Sequence, residues 1–363
     1  MECLPAILIP DEVIREILLF LPVKSIVRFM SVCKSWKLIV SDPRFVKLHL
    51  HRSSANTAHF AHTRLLFDLI NSHIDKPFDQ TDCSASVSFS SQHQKGHDLY
   101  PIENGYELIG VCNGLASVMK LDYSFAKNLQ CSVVRVRLWN PARRLSSQVS
   151  PPLYLLEPNY YTFGFGYDCL NDTYKTVAVN RKERVVRVYD MGGTCWRMIQ
   201  SFPAPAIELV SLQNGVYVRG SLNWIVTNTD VPIIVSLDLG REEYSQFSLP
   251  DSLHNEELFR FPILGVLKDC LCILHNEGRT RFLVWQMNDV GAWIQLFNFE
   301  RTTLLNPFGF VLSQNDEILL MSRHEVVLYN QRYNTFEFCN VCNHHSIYSW
   351  NADNQVESLV LPG

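Results

Sequence analysis

Two patterns predict a mainly β protein with a short helical head at its N-terminal end. In roughly the first fifty of 363 residues, apolar side chains recur at three- and four-residue spacing between prolines, as in short helices. Beyond Leu50 that spacing nearly disappears, and a strand-rich unit recurs every 44 to 50 residues. A period in this range points to a solenoid or a propeller. We therefore predict a helical head followed by a β-propeller of about six blades.

The first predicted helix begins at Pro10 and ends before Pro22. Proline has no N–H to leave unsatisfied in a first turn, and the acidic Asp11 and Glu12 suit the positive end of the helix dipole. Pro22 removes a backbone donor and stops the helix. We expect its apolar residues to share one face: Val13, Ile14, Ile17, Leu18 and Leu21.

Three further short helices are predicted up to Leu50. Ser31 is a candidate N-cap of the third helix, and Asp42 with Pro43 suits the start of the fourth. The apolar residues of the second and third helices are Ile26, Val27, Phe29, Met30, Cys33, Trp36, Ile39 and Val40, and those of the fourth helix are expected to face inward: Phe45, Val46, Leu48 and Leu50. These faces could simply pack on one another. A domain this short buries a smaller share of its surface, however, so part of the apolar load favours a partner.

Over some forty residues the head resembles the F-box of plant F-box proteins. Pro10 and the runs 21–25 (LPVKS), 32–36 (VCKSW) and 42–45 (DPRF) fall where the motif of that family has them. In the family this segment docks on a Skp-type adaptor, and through it on a cullin ubiquitin ligase. The resemblance implies that nine residues bind the adaptor: Pro10, Ile14, Leu21, Pro22, Val23, Ile26, Val32, Cys33 and Trp36.

The repeat aligns five strands at 136–141, 186–191, 234–239, 282–287 and 326–331. Each has an aromatic residue or leucine in register, and in four of the five a second aromatic follows seven or eight positions later. These positions are Trp139, Tyr189, Leu237, Trp285 and Tyr329, followed by Trp196, Tyr244, Trp293 and Phe336. An additional strand pair with turn residues at its middle precedes each copy. Two hairpins per period make a four-stranded sheet, which is one propeller blade.

Both ends of the remaining chain could form a sixth blade. Residues 65–91 supply candidate strands, and the segment 356–362 (VESLVLP) is a candidate partner that would remove exposed edges. Phrases such as GVCNGL, LWNPARR and FGFGYD resemble the plant F-box associated domain, which is related to kelch-repeat proteins. We expect a helical F-box domain at 1–52 and a kelch-like propeller at 53–363, with seven blades as the alternative count.

Charge and composition limit the choice of partner. Residues 1–52 hold eight Lys or Arg and five acidic residues, a net charge of +3, whereas the whole chain is −4. A basic head suits the acidic adaptor of the family, although an ordinary solvated surface has the same composition. The pI near 6.3 lacks the footprint of a nucleic-acid-binding protein. We expect no nucleic-acid partner.

The eleven cysteines are scattered over predicted strands, which favours free thiols in a reducing compartment. The N-terminus has no basic region before an apolar run, and no stretch has the length of a membrane span. We therefore expect a cytoplasmic or nuclear protein that neither enters a membrane nor is secreted.

Three stretches offer reactive groups without the setting that their chemistry needs. Cys339, Cys342, His344 and His345 are metal-type donors, but zinc usually takes two spaced pairs, and Cys270 with Cys272 is the one obvious second pair. Residues 163–166 (FGFG) lack the third glycine and helix of a dinucleotide site. Gly220-Ser221 lacks the strand–turn–helix context of a nucleophile elbow. We predict no catalytic residue, metal or cofactor.

The resemblance implies a non-catalytic substrate-recognition subunit of an SCF-type (Skp–cullin–F-box) ubiquitin ligase. The propeller would hold an unknown target protein on loops at one face, and residues 71–99 are the most loop-like insertion. The alternatives are a protein-interaction scaffold outside any ligase and a catalytic propeller. The target-binding residues cannot be assigned because propellers keep their blades and vary their loops.

Overall fold

The computed structural model consists of four helices followed by six β-sheets in the part of the chain that it describes. That part comprises residues 9–55, 64–71, 86–87, 97–101, 105–126, 129–203, 213–228, 231–253, 262–267, 269–277, 281–300, 309–312, 317–321, 326–339, 345–355 and 358–362. All described helices of the α type precede all described strands. The predicted fold class, a helical head before a mainly β propeller of about six blades, is confirmed.

The helical head contains α1 (Asp11–Leu19), α2 (Val23–Phe29), α3 (Lys34–Ser41) and α4 (Pro43–Ala55). Helix α4 packs against α1 and α3, and α2 packs against α3. The expected start of α4 is confirmed, because the backbone N–H of Arg44 donates to Asp42 Oδ1 at 2.9 Å. The core of the head is formed by Leu18, Leu19, Val23, Ile26, Ile39, Val40 and Phe45.

Two expectations for these helices are wrong. Ser31 does not cap α3, since its hydroxyl donates to Arg28 O at 2.6 Å and Cys33 occupies the N-cap. Leu48 is exposed, whereas the polar His49 is buried and its Nε2 lies 2.9 Å from Leu21 O. The inward stripe of α4 therefore follows the four-residue spacing of Phe45 and His49 and includes a polar residue with a tertiary partner.

Twenty-five strands follow in the described part of the chain. The first three are β1 (Arg64–Asn71), β2 (Ser86–Val87) and β3 (His97–Pro101). Sheet A contains β4 (Glu107–Cys112), β5 (Leu115–Ala126), β6 (Leu129–Asn140), β7 (Leu145–Ser146) and β8 (Leu153–Leu156). Sheet B contains β9 (Tyr161–Asp168), β10 (Thr173–Asn180), β11 (Val185–Asp190) and β12 (Arg197–Met198).

The next three sheets repeat the same four-stranded plan. Sheet C contains β13 (Val216–Val218), β14 (Ser221–Asn228), β15 (Val231–Asp238) and β16 (Tyr244–Ser248). Sheet D contains β17 (Ile263–Leu267), β18 (Cys270–Glu277), β19 (Arg281–Met287) and β20 (Trp293–Glu300). Sheet E contains β21 (Gly309–Leu312), β22 (Glu317–Met321), β23 (Val326–Asn330) and β24 (Thr335–Cys339). The final strand of the chain is β25 (His345–Gln355).

The predicted hairpin turns join the first two strands of these sheets. Asn113 and Gly114 have φ of 52° and 76°, and Arg219 and Gly220 have φ of 45° and 88°. Two successive residues at positive φ are the signature of the tight turn whose twist matches a β-hairpin. Every aromatic or leucine position aligned in the repeat falls on the third strand of its sheet, from Trp139 on β6 to Tyr329 on β23.

The sixth sheet combines both ends of the chain, in the order β2-β3-β1-β25. Strand β1 pairs antiparallel with β25, and Phe67 lies opposite Trp350. The prediction that residues 356–362 supply the closing strand is wrong, because β25 ends at Gln355. Residues 358–362 lie outside any strand, and their carbonyls are bound by side chains of sheet A instead.

One strand of each sheet lies beside the corresponding strand of the next sheet, in the order β4, β9, β13, β17, β21 and β25. Strand β25 also lies beside β4. We call these the inner strands. Side-chain amides link them: Asn214 Nδ2 donates to Leu108 O and Ile109 O, and Asn214 Oδ1 accepts from the N–H of Phe163. Gln213 bonds both the N–H and the C=O of Leu264. Each sheet is open, and neighbouring sheets are joined through these inner strands.

Candidate partner-binding surface

Four of the nine predicted adaptor-binding residues are exposed. Pro10 and Pro22 lie immediately before α1 and α2, and Val32 and Cys33 lie between α2 and α3. Ser35 Oγ donates to Asp11 Oδ1 at 3.3 Å, so the first turns of α1 and α3 meet. The structure therefore brings Pro10 and the Val32-Cys33 pair to the same end of the head.

Three more of the predicted residues are half-buried: Ile14, Leu21 and Trp36. The Trp36 ring meets the Phe29 ring edge-on, with 5.4 Å between centroids. These three side chains contribute to the packing of the head and also reach its surface.

The remaining two, Val23 and Ile26, are 1% and 0% exposed within the core of the head. A side chain without exposed area cannot contact a partner in this conformation. Their place in the structure is to hold α2 against the other helices, so that the exposed residues beside them are kept in position.

Sequence reasoning missed a second exposed apolar row on α1. Val13 and Ile17 were expected to share one face with Leu18, which is buried, but they are 47% and 51% exposed. Because α1 buries Leu18 and Leu19, the face carrying Val13 and Ile17 turns outward. The four-residue spacing was visible in the sequence, but the choice of inward face required the positions of the other helices. We define the apolar surface of the head as Ile9, Val13, Ile17, Phe20, Val32 and Leu38, all of them exposed.

Basic side chains border this surface. Among the charges of the head, Arg15 pairs with Asp42, Arg52 pairs with Glu16, and the Arg52 guanidinium lies 5.0 Å from the centroid of the Phe20 ring. Exposed basic residues also lie on and around α3, at Lys34, Lys37 and Arg44. The exposed apolar residues of the head therefore share its surface with these basic side chains and with the exposed acids Asp11, Glu12 and Glu16 of α1.

The head rests on one end of the propeller. Lys47 Nζ lies 2.5 Å from Asp172 Oδ2 in the turn between β9 and β10, and Ala142 after β6 packs against the core of the head. These two turns lie at the same end of their strands. The opposite end carries the β10–β11 turn with Arg181 and Lys182. Most of the 71–99 insertion lies outside the described residues.

A buried ion cluster joins sheets B and C on the side of the head. Lys175 Nζ lies 2.7 Å from Asp168 Oδ2, 2.9 Å from Glu242 Oε1 and 2.6 Å from Leu239 O. Arg197 bonds Asp190 and Glu242 at its edge. Lys175 and Asp168 are 3% and 0% exposed at the side chain. We define these five charged residues as the ion cluster.

Mutual pairing sets the pKa values in the ion cluster. Burial would raise the pKa of Asp168, but hydrogen bonds from Lys175 and Asn171 outweigh it and lower the pKa below its usual value. The Arg197 hydrogen bond lowers the pKa of Glu242. Burial would lower the pKa of Lys175, but Asp168 and Glu242 raise it. All three groups are held charged at neutral pH, which describes a structural cluster and not an acid–base pair.

The FGFG run and the Gly220-Ser221 pair, whose sequences resembled parts of reactive sites, serve packing and turn formation. A Cβ on Gly166 would lie 2.2 Å from Tyr217 Cδ2, and one on Gly164 would lie 2.8 Å from Leu222 Cδ1. The glycines of the FGFG run therefore admit side chains of sheet C against sheet B. Gly220 forms the β13–β14 turn, and Ser221 begins β14.

Metal-type donors do not converge in the part of the chain that the structure describes. No group of three or more His, Cys, Asp or Glu residues there has the arrangement needed to hold a metal ion. Residues 340–344, with Cys342 and His344, lie outside that part. Cys272 is buried, which raises the pKa of its thiol. No helix among the described residues is both long and apolar enough to cross a membrane.

Comparison with known proteins matches both parts of this architecture. The family model of the F-box domain matches residues 7–48, and that of the F-box associated beta propeller domain matches residues 81–359. The F-box/kelch-repeat protein At3g23880 of Arabidopsis thaliana is 29% identical, over 89% of this chain and 87% of the relative. The F-box protein CPR1 of the same plant is 24% identical, over 84% of this chain and 76% of the relative.

Two solved propellers also match. The Dos1 propeller has a TM-score of 0.37 and 9% identity, over 68% of this chain and 69% of that one. The propeller domain of the trilobed protease from Pyrococcus furiosus has a TM-score of 0.38 and 11% identity, over 65% and 71% of the two chains.

An F-box and a propeller are domains typical of non-catalytic adaptor proteins. The matched propeller segment covers more than half of the chain and coincides with the sheets described above. The chain belongs to the F-box associated beta propeller family and carries an F-box domain at its head.

Proposed function

We propose that this protein is the substrate-recognition subunit of an SCF-type ubiquitin ligase. The observation that carries the proposal is the apolar surface of the head. Seven large apolar side chains are exposed on the head, the six of the apolar surface and Leu48, although its helices enclose a core of their own. Contiguous exposed apolar area on a soluble domain marks an interaction site, and the F-box implies a Skp-type adaptor as the partner.

The adaptor would cover the end of the head where Pro10, Val32 and Cys33 meet, with Ile14 and Trp36 completing the contact from their half-buried positions. The exposed row on α1 extends this area toward Pro22. Lys34, Lys37 and Arg44 would face an acidic partner, so that opposite charges meet at the rim of an apolar contact.

The target protein would bind the end of the propeller opposite the head. The head covers the turns after β6 and β9, which leaves the other ends of the strands for a target. Holding a target lysine near the charged ubiquitin carrier raises its effective concentration, so ubiquitin transfer accelerates without a catalytic residue in this chain. We place this activity in the cytoplasm, the nucleus or both.

A pull-down with a Skp-type adaptor and cullin tests the proposal. The variants Val32→Glu and Ile17→Glu change exposed residues and spare the core of the head. Each is expected to weaken adaptor binding about 30-fold or more, the effect of losing a central interface anchor. Val290→Glu is the matched control, because Val290 is 85% exposed on the propeller and should leave binding unchanged.

Circular dichroism of each variant shows whether the fold is kept. Binding by wild type and Val290→Glu, together with loss in the two head variants, supports the ligase subunit. If folded wild-type protein binds neither adaptor nor cullin, the function is a protein-interaction scaffold outside the ligase.

A further inference from the structure

The last described residues, 358–362, lie between the helical head and sheet A. We define these five residues as the C-terminal segment. Ser358 and Leu359 are 0% and 1% exposed, although the segment belongs to no strand. An irregular segment so deeply buried needs partners for its backbone groups.

Sheet A supplies those partners from the turn after β6. Asn140 Nδ2 donates to Ser358 O at 2.9 Å and to Val360 O at 2.8 Å, and Arg143 Nη1 donates to Leu359 O at 2.8 Å. Three successive carbonyls of the segment are thus bound by two side chains. Asn140 Oδ1 also accepts from the N–H of Arg143 at 3.1 Å, so the fully buried Asn140 amide uses both its donors and its acceptor.

The helical head holds the same segment through its core. Leu359 packs in one cluster with Leu18, Leu19 and Phe45, and Ala142 of sheet A joins that cluster. A single leucine therefore completes the core of the head while its backbone is bonded to the propeller. The exposed Lys47–Asp172 pair is a second link, and exposed ion pairs contribute little to stability.

We propose that the C-terminal segment is the positioning element that fixes the propeller relative to the F-box. Two independent sets of contacts, one polar and one apolar, meet in five residues and connect the two domains. The importance of this orientation for ubiquitin transfer rests on the proposed function, since a target is useful to a ligase only at a defined distance from the adaptor. The fixed orientation itself does not depend on that function.

Single-molecule energy transfer in the full chain tests the proposal. Donor and acceptor dyes are placed on noncanonical amino acids at His51 in the head and at Val290 in the propeller, both exposed. Wild type is expected to give one narrow distance distribution. Asn140→Asp keeps the Oδ1 acceptor and replaces the Nδ2 group, which donates to Ser358 O and Val360 O, by an oxygen that faces these carbonyls. Deletion of residues 358–363 removes the segment altogether. Both variants are expected to broaden the distribution at least twofold.

The matched control is Leu361→Asp, which places a charge two residues from Leu359 on a side chain that is 57% exposed. It should keep the narrow distribution. Circular dichroism and the adaptor pull-down are run on each protein. An unchanged narrow distribution in the folded deletion variant overturns the proposal. Failure of wild type to bind the adaptor overturns the ligase function and leaves the distance measurement intact.

Discussion

Lys175 is a positive charge placed between two sheets, and its partners make that placement tolerable. Its ammonium group is bonded by two carboxylates and the Leu239 carbonyl, so every donor has an acceptor. Removing one member of such a buried set leaves the other charges unpaired in a medium that solvates charge poorly. The loss in free energy of unfolding is then larger than the net contribution of the intact pair.

The variant Lys175→Met removes the charge and keeps most of the length of the side chain. We expect the free energy of unfolding to fall by about 3–5 kcal/mol, since Asp168 is left buried and uncompensated. Urea denaturation at pH 7 measures the change. Arg135→Met is the control, because its pair with Asp122 is half exposed and should be worth less than about 1 kcal/mol. An equal loss of free energy of unfolding in both variants would contradict the conclusion that the buried ion cluster stabilises the fold more than a half-exposed ion pair does.

Structural features that depend on residues close together in the sequence were predicted best. Asp42 and Pro43 start α4 because an N-cap and a first-turn proline act within a few residues of sequence. His49 was missed because its partner, Leu21 O, lies 28 positions away. Lys175 was missed for the same reason, since it reaches Leu239 and Glu242 from 64 and 67 positions away.

Among the structural elements, the strands of sheet B and the β15–β16 turn that carry the ion cluster give sheets B and C an acid-sensitive contact. The folded-state pKa values of Asp168 and Glu242 lie below their usual values, so their stabilisation is present above the unfolded pKa near 4 and is lost as pH falls through the folded pKa. In Lys175→Met, Asp168 loses the Lys175 hydrogen bond and keeps those from Asn171, so its pKa is lowered less than in wild type.

We therefore expect the stability difference between wild type and Lys175→Met to be constant from pH 7 to about pH 5 and to shrink below about pH 4. Urea titrations at pH 7, 5, 4 and 3.5 follow it. A difference that stays the same down to pH 3.5 would show that the ion cluster does not control this contact.

Strand prediction succeeded where the repeat was regular. The aligned aromatic positions placed the third strand of five sheets, and the turn pairs placed their first hairpins. Residues 356–362 were the candidate for the closing strand of the sixth sheet, because pairing both ends of the remaining chain would remove exposed edges. Carbonyls of this segment are instead bound by Asn140 and Arg143, a competition between tertiary partners that periodicity does not reveal.

For the whole molecule, the uneven charge predicts that the rate of association with the proposed adaptor depends on salt. The head is basic while the rest of the chain is acidic. If an acidic adaptor binds there, its association rate constant should fall several-fold between about 0.05 and 0.5 M NaCl, and the dissociation rate constant should change less. Surface plasmon resonance measures both constants.

Two double variants, each of which removes two positive charges, show which part of the molecule causes the salt dependence of the association rate. Lys34→Ala with Lys37→Ala should lower the association rate at low salt and flatten its salt dependence. Arg184→Ala with Arg187→Ala on the propeller, which also removes two positive charges, should leave it unchanged. The same loss in both would assign the effect to total charge and not to the head.

The exposed apolar residues of the head were predictable only in part. The family motif includes Pro10, Val32 and Cys33, which the structure exposes at one end of the head. It also included Val23 and Ile26, which the core encloses, and omitted Val13 and Ile17, which are exposed. A helix has two apolar faces in such a sequence, and only the packing of its neighbours decides which one remains outside.

The sheet shared by the two ends of the chain has a consequence for protein synthesis. Arg64 on β1 leaves the ribosome 281 residues before His345 on β25. At roughly 5–20 residues per second, the first strand waits on the order of tens of seconds for its partner. During translation β1 therefore presents an unpaired edge, and any chain released early keeps it. A chain that ends before His345 therefore differs from the 363-residue chain by an exposed edge of β1.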